Sequence, residues 1–224
     1  IGTLMALSIW HSLSEERARA AAQLQTIAAA KAREIAGWHA ERLRDAGWAQ
    51  KSQGLREAWL QWQDGRRDAQ GLRLRQFLTT FFVNDAVYTR VEIIDVDGLR
   101  LFGSDLRAAP SVAPDANQAP PVLHQGVLEA LTTNQALRVG PWRNARGKLQ
   151  ISFIAPLAAE SHRPAAVVLH HEPSEYLHPT LRDWPVPQQT AETLLFRADE
   201  GGGVFMLSAL RHELDAHNYR YYVL

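Results

Sequence analysis

The chain has 224 residues, 46% of them apolar, with 24 lysines and arginines against 24 aspartates and glutamates and no cysteine. That apolar content supports a real core in one large or two small domains and excludes a disordered chain. The balanced charge offers no field for nucleic acid, and the missing cysteines remove disulfides, thiolate nucleophiles and cysteine-held metals while leaving the compartment open.

Ile1 to Trp10 carries no charge and runs into HSLSEERARAAAQLQTIAAAKAREIAGWHAERLRD. A bilayer-spanning helix needs about 20 mostly apolar residues, so residues 1–13 read as the outer end of a transmembrane segment whose remainder precedes residue 1. Trp10 then sits at headgroup level. A signal-peptide remnant or a buried N-terminal helix would give the same pattern.

Residues 14–66 read as a long helical spine. No proline occurs before Pro110, and Ala, Glu, Arg, Leu and Gln dominate Ser14 to Asp45. Ser14 is expected to cap the start, with Glu15 and Glu16 at the positive end of the dipole. Leu24, Ala28, Ile35 and Trp38 recur at helical spacing and draw one stripe along the spine. Trp38, Trp48, Trp59 and Trp62 all fall in this third of the chain, where such rings serve chiefly as packing. A second helical stretch, roughly Arg67 to Phe82, places Leu74, Phe77, Leu78 and Phe81 on one face.

The period then changes. Val87 to Asp105, VYTRVEIIDVDGLRLFGSD, is rich in β-branched residues, and its Asp97-Gly98 pair signals a tight turn, so a β-hairpin is expected. A proline-rich loop, Ala109 to Pro121, is followed by a short helix from Val122 to Thr132 and a strand near Ala136 to Val139. The turn GPWRNARGK and strands at Leu149 to Leu157 and Ala165 to His171 come next. Pro173 opens a helix running to about Asp183, which Pro179 kinks or ends, and WPVP marks its exit. Sequential strands with short turns, packed by helices, describe an α+β domain with one antiparallel sheet. After Pro187, AETLLFRADEGGGVFMLSAL repeats strand, turn, strand, and NYRYYVL supplies one more strand. With about 35 residues left, this second unit is below the size of a self-sufficient domain.

No G-x-S-x-G elbow, H-E-x-x-H, phosphate-binding glycine loop or C-x-x-C pair occurs, so no catalytic residue and no cofactor are read. His170-His171-Glu172 has the residue types of a metal site, but neighbours on a strand point to opposite faces, and the cluster reads as a polar strand end. Gly201 to Gly203 reads as a hairpin loop. Ligand chemistry must then come from the sheet, whose candidate polar residues are Tyr88, Arg90, Glu92 and Ser152, with Trp142 and Arg143 in a turn where a lid would form. Tyr88, Arg90 and Glu92 share one strand face; if it lines a pocket, Arg90 would clamp a carboxylate, and if it faces solvent all three are surface residues. Trp142 would serve equally as an aromatic wall or as packing on its own sheet. His124 and Phe102 are weaker candidates.

The ordered set AAAKAREIAGWHAERLRDA, IIDVDGLRLFGSD, LQISFIAPL, AVVLHHEPSEYLHPTLRDWPVP and AETLLFRAD resembles the double Cache type of extracytoplasmic sensor domain. The resemblance extends from about Ser14 to Leu210. Such domains precede histidine kinases, diguanylate cyclases or phosphodiesterases, and chemoreceptors in bacteria. It implies a dimer-forming spine at 14–66, a membrane-distal PAS-like module at 67–187 that holds a small ligand, and a partial membrane-proximal module at 188–224. The tyrosine, arginine, tryptophan and aspartate signature of the amino-acid-binding subgroup is not recognisable. The expectation is therefore a periplasmic domain, anchored in the inner membrane and homodimeric through its N-terminal helix. It would bind a small molecule, such as an organic anion, and relay a change to a cytoplasmic output domain. A ligand-free module working through protein contacts is the alternative, and would fill the pocket with side chains.

Overall fold

Helix α1 runs without interruption from Gly2 to Lys51. The structure is a computed structural model and describes residues 2–63, 74, 76–79, 88–105, 118–157, 163–183, 193–198, 203–206 and 220–222. Ser14 does not cap α1; it lies inside the helix, and its hydroxyl donates to the His11 carbonyl at 2.7 Å. The strong helix formers on either side carry the helix through it. Every side chain from Ser8 to Thr26 is exposed, and burial begins at Trp38. No helix among the described residues is long and apolar enough to cross a membrane. The cap comes one helix later: Ser52 breaks the chain, its hydroxyl accepts the Leu55 N–H at 3.4 Å, and α2 follows over Gln53–Gln63 with Leu55 and Trp59 buried. Residues 76–79 are helical, with Leu74 and Leu78 buried as expected; Phe81 lies outside the described residues.

Five strands form one antiparallel sheet: β1 (Arg90–Asp95), β2 (Arg100–Asp105), β3 (Leu137–Arg143), β4 (Leu149–Leu157) and β5 (Ala165–His171), in the order β2-β1-β5-β4-β3. The fold is α+β and PAS-like in arrangement. One face of the sheet, with Val91, Ile93, Phe153, Val167 and Leu169, packs on Trp38, Ala46 and Ala49 of α1. The other, with Ile94, Ile154, Ala166 and Val168, packs on Leu123, Val127 and Ala130 of α3 (Pro121–Thr133). Cover on both faces explains why β5 is buried at every position and reads as an unbroken apolar run.

The expected hairpin turn is held by Asp95. One of its carboxylate oxygens accepts the N–H groups of Asp97 (3.1 Å) and Leu99 (2.8 Å), and Arg163 reaches the other at 2.9 Å. Gly98 takes φ 77°, which only glycine adopts at little cost, and Gln118 and His124 bond the turn carbonyls of Asp97 and Val96. Strand β3 is longer than the sequence suggests: it continues through a register shift between Val139 and Trp142, so the turn begins only at Asn144. The helix expected after Pro173 is split into a 3-10 turn, Pro173–Glu175, and α4, Leu177–Arg182, whose third residue is Pro179. A first-turn proline has no intrahelical N–H bond to lose. Strands β6 (Phe196–Ala198), β7 (Gly203–Met206) and β8 (Arg220–Tyr222) form a second antiparallel sheet, and Leu195 packs against the α1 side of the core.

Candidate functional site

The strand register sets up a polar row. Arg90 pairs with His170, and His170 pairs with Ser152, so the three lie side by side on the α3 face of β1, β5 and β4. Beyond the reach of α3 this face opens into a cavity of about 460 Å³, walled by Arg90, Glu92, His170, Gln150 and Trp142. Arg100 and Gln118 close one side, and the β3–β4 turn with Arg146 and Lys148 closes the other.

Glu92 is the floor of this cavity and is 1% exposed. Its carboxylate lies 2.6 Å from Arg90 Nε, 3.2 Å from Arg100 Nε and 3.2 Å from His170 Nε2. The Arg90 contact is an ion pair whose N–H is not aligned for a hydrogen bond, whereas Arg100 Nε donates. Burial on its own raises a carboxyl, but the His170 hydrogen bond and the charges of His170, Arg90 and Arg100 outweigh it and hold Glu92 at about 2. The sequence pattern suggested a half-buried strand with its polar face in water; at Glu92 the Arg90, Arg100 and His170 side chains close around the carboxylate and leave it buried.

Behind the cavity wall the polar chain continues. Trp142 Nε1 donates to Ser152 Oγ at 2.9 Å, and Ser152 Oγ lies 3.0 Å from His170 Nδ1. These contacts form one chain: Trp142 Nε1–H donates to Ser152 Oγ, Ser152 Oγ and His170 Nδ1 share a hydrogen bond, and His170 Nε2–H donates to Glu92. A serine, histidine and glutamate in sequence have the composition of a hydrolytic triad. Ser152 is fully buried and does not line the cavity, so its hydroxyl does not reach a bound substrate and instead orients the imidazole.

Of the residues singled out in the sequence, Arg90, Glu92 and Trp142 line the cavity and Ser152 lies directly behind it. Tyr88 does not join them. It precedes β1, turns to the α1 side and donates its hydroxyl to Asp45 at 2.7 Å, with the Arg42 guanidinium 5.6 Å from its ring centroid. Arg143 is on β3, where it donates to the Gly147 carbonyl and staples the β3–β4 turn. Trp142 is also on β3 and not in the turn, which puts its indole in the sheet wall.

No protein-family model matches the chain, and no curated protein matches it. Among solved structures it is similar to the extracellular domain of a protein described as a histidine kinase, vpHK1S-Z8, at 13% identity and TM-score 0.53, covering 80% of this chain and 83% of that one. It is also similar to a domain of a protein described as sensory box/GGDEF family from Vibrio parahaemolyticus, at 15% identity and TM-score 0.50, covering 82% and 73%. The likeness is one of fold.

Residues the sequence did not put forward for ligand binding complete the wall. His170 was weighed only as a metal ligand beside His171; the two do point apart, His170 into the cavity and His171 onto the Trp38 ring. Among the described residues no three histidine, cysteine or acidic side chains are placed to share a metal ion. Arg100, Gln118, Arg146, Lys148 and Glu172 come from four separate stretches of chain that only the register and the docking of α3 bring together. Arg100 shares the Glu92 face because the β1–β2 register shifts between Ile93 and Ile94 and pairs Arg100 with Ile94; a two-residue Asp97-Gly98 turn alone would set it opposite Asp95, so alternation did not point to it.

Proposed function

We propose that this chain is the ligand-sensing input domain of a membrane-bound receptor, facing the periplasm, and that its ligand is a small organic anion. The observation that carries the reading is the cavity over Glu92. Its volume of about 460 Å³ falls in the range of small-molecule sites, about 300–1,000 Å³, and polar groups converge on it from every side. Four cations, Arg90, Arg100, Arg146 and Lys148, face it against three carboxylates, Glu92, Glu172 and Glu175. The Arg90 guanidinium carries five N–H donors in a fixed fork, more than its contact with Glu92 engages, so a second anion has a place to dock. The Trp142 ring adds an apolar wall for the body of such a ligand.

The two similar structures, one described as an extracellular domain of a histidine kinase and one as a domain of a sensory box protein, support a sensing role. The exposed Met5, Ile9, Trp10 and Leu13 on α1 support residues 1–13 as the outer end of a membrane segment. Signalling then needs the ligand to bind one arrangement of the domain better than another, because equal affinity shifts nothing. The test is a thermal-shift screen of the purified chain against small carboxylates, amines, amino acids, nucleobases and divalent metals. A carboxylate hit that is weakened by Arg90→Lys and by Trp142→Leu is the expected result. Silence from the carboxylates would favour a module that works through protein contacts.

A further inference from the structure

The end of β5 serves two sides of the sheet at once. His170 and Glu172 line the cavity, and Glu175 of the following 3-10 turn joins them. His171 and Tyr176 meet α1 on the opposite side and hold the Trp38 indole between them. The ring centroids lie 4.7 Å from His171 and 5.1 Å from Tyr176, and the Tyr176 ring is nearly parallel at 14°. Phe153 of β4 meets the same indole edge-on at 6.0 Å.

Among the described side chains Trp38 is also the first buried one along α1, so it marks where the helix joins the body of the domain. Its Nε1–H is buried without a hydrogen-bond partner among the described residues. Ring and apolar contacts seat it, and a gap of about 0.5–1 Å forfeits a quarter to a half of such attraction, so the seat responds to small displacements. Resting on the sensing reading above, we propose that Trp38 is the contact through which a change at the cavity passes to α1. Movement of Glu172 or Glu175 toward a ligand moves the backbone that carries His171 and Tyr176. In a close-packed interior the indole must follow or lose its stack.

A physical claim of coupling needs a coupling measurement. Glu172→Gln weakens the Glu172–Lys148 ion pair, 3.2 Å long, and so stands in for a ligand that competes at the rim. Hydrogen–deuterium exchange on the intact chain then reads the α1 amides from Ile35 to Asp45. The expected result is a change of about threefold or more in their exchange, abolished in a Trp38→Leu background and retained with Trp38→Phe. No change in the native background, or the same change with and without the indole, would overturn the proposal. Should Trp38→Leu lose global protection, Tyr176→Leu, which removes the near-parallel stack and leaves Trp38 in place, is read the same way. No ligand enters this experiment, so its failure leaves the cavity's binding function standing, and a silent ligand screen leaves the coupling standing.

Discussion

Glu92 Oε2 and His170 Nε2 lie 3.2 Å apart with both side chains buried, which joins β1 to β5 directly beneath the cavity. Removing the carboxylate leaves the His170 ring and two guanidinium groups without the anion they share. Breaking a buried ion pair from one side costs about 3 kcal/mol or more. Urea unfolding of Glu92→Ala should show a loss of that order, and a loss under about 1 kcal/mol would mean that the pair is solvated.

The same carboxylate sets a pH dependence. Its value in the folded chain, about 2, lies below its ordinary 4.5, so its contribution to stability is complete above 4.5 and is lost as pH falls toward 2. Other carboxylates titrate in the same interval, so the informative quantity is the stability difference between the native chain and Glu92→Gln. That difference should shrink from pH 4.5 to about 2 and stay level above; a constant difference would contradict the ion-pair assignment.

Helix α3 approaches the sheet at Gly126. A Cβ there would meet Val139 Cγ2 and would sit 2.9 Å from Ile154 Cδ1. Alanine gains about 1 kcal/mol in helix propensity, but overpacking against two branched side chains costs about 1–3 kcal/mol. Gly126→Ala should therefore lower stability in chemical denaturation, and a stabilised variant would show that α3 is free to move away.

The outer part of α1 gives a separate test of pairing. Leu24 is 52% exposed, whereas Ile35, on the same expected stripe, packs against the chain's own core. Leu24→Glu should reduce self-association in sedimentation equilibrium and leave the melting temperature unchanged, while Ile35→Glu should lower the melting temperature. Sedimentation of Leu24→Glu identical to that of the native chain would remove this face from any dimer.

The architecture was legible because its signals are local. Alternation in RVEIID, the Asp97-Gly98 turn and the apolar runs of β4 and β5 located four of the five sheet strands closely. Two failures share a cause in long-range structure. The polar face of β1 carries the same alternation whether water or the Arg90, Arg100 and His170 side chains surround Glu92, so its burial was not readable from spacing. Trp142 and Arg143 looked like turn residues because Gly140-Pro141 ordinarily ends a strand, yet pairing with β4 resumes beyond a register shift. The site was half legible for the same reason: Arg90, Glu92 and Trp142 are on strands that could be faced, but Arg146, Lys148 and Glu172 reach the cavity only through strand register.

The most direct test is an equilibrium titration of the strongest carboxylate from the screen against the native chain, Arg90→Lys and Trp142→Leu. A site built on the Arg90 fork and the Trp142 wall should lose at least about tenfold in affinity in Arg90→Lys, since a charged hydrogen bond contributes about 1.5–3 kcal/mol, and should also weaken in Trp142→Leu, which removes aromatic contact area. At a hundredfold excess over its dissociation constant the ligand should add about 2.7 kcal/mol to native stability. Undiminished affinity in both variants, or no carboxylate that binds the native chain, would contradict an anion-sensing cavity at Glu92.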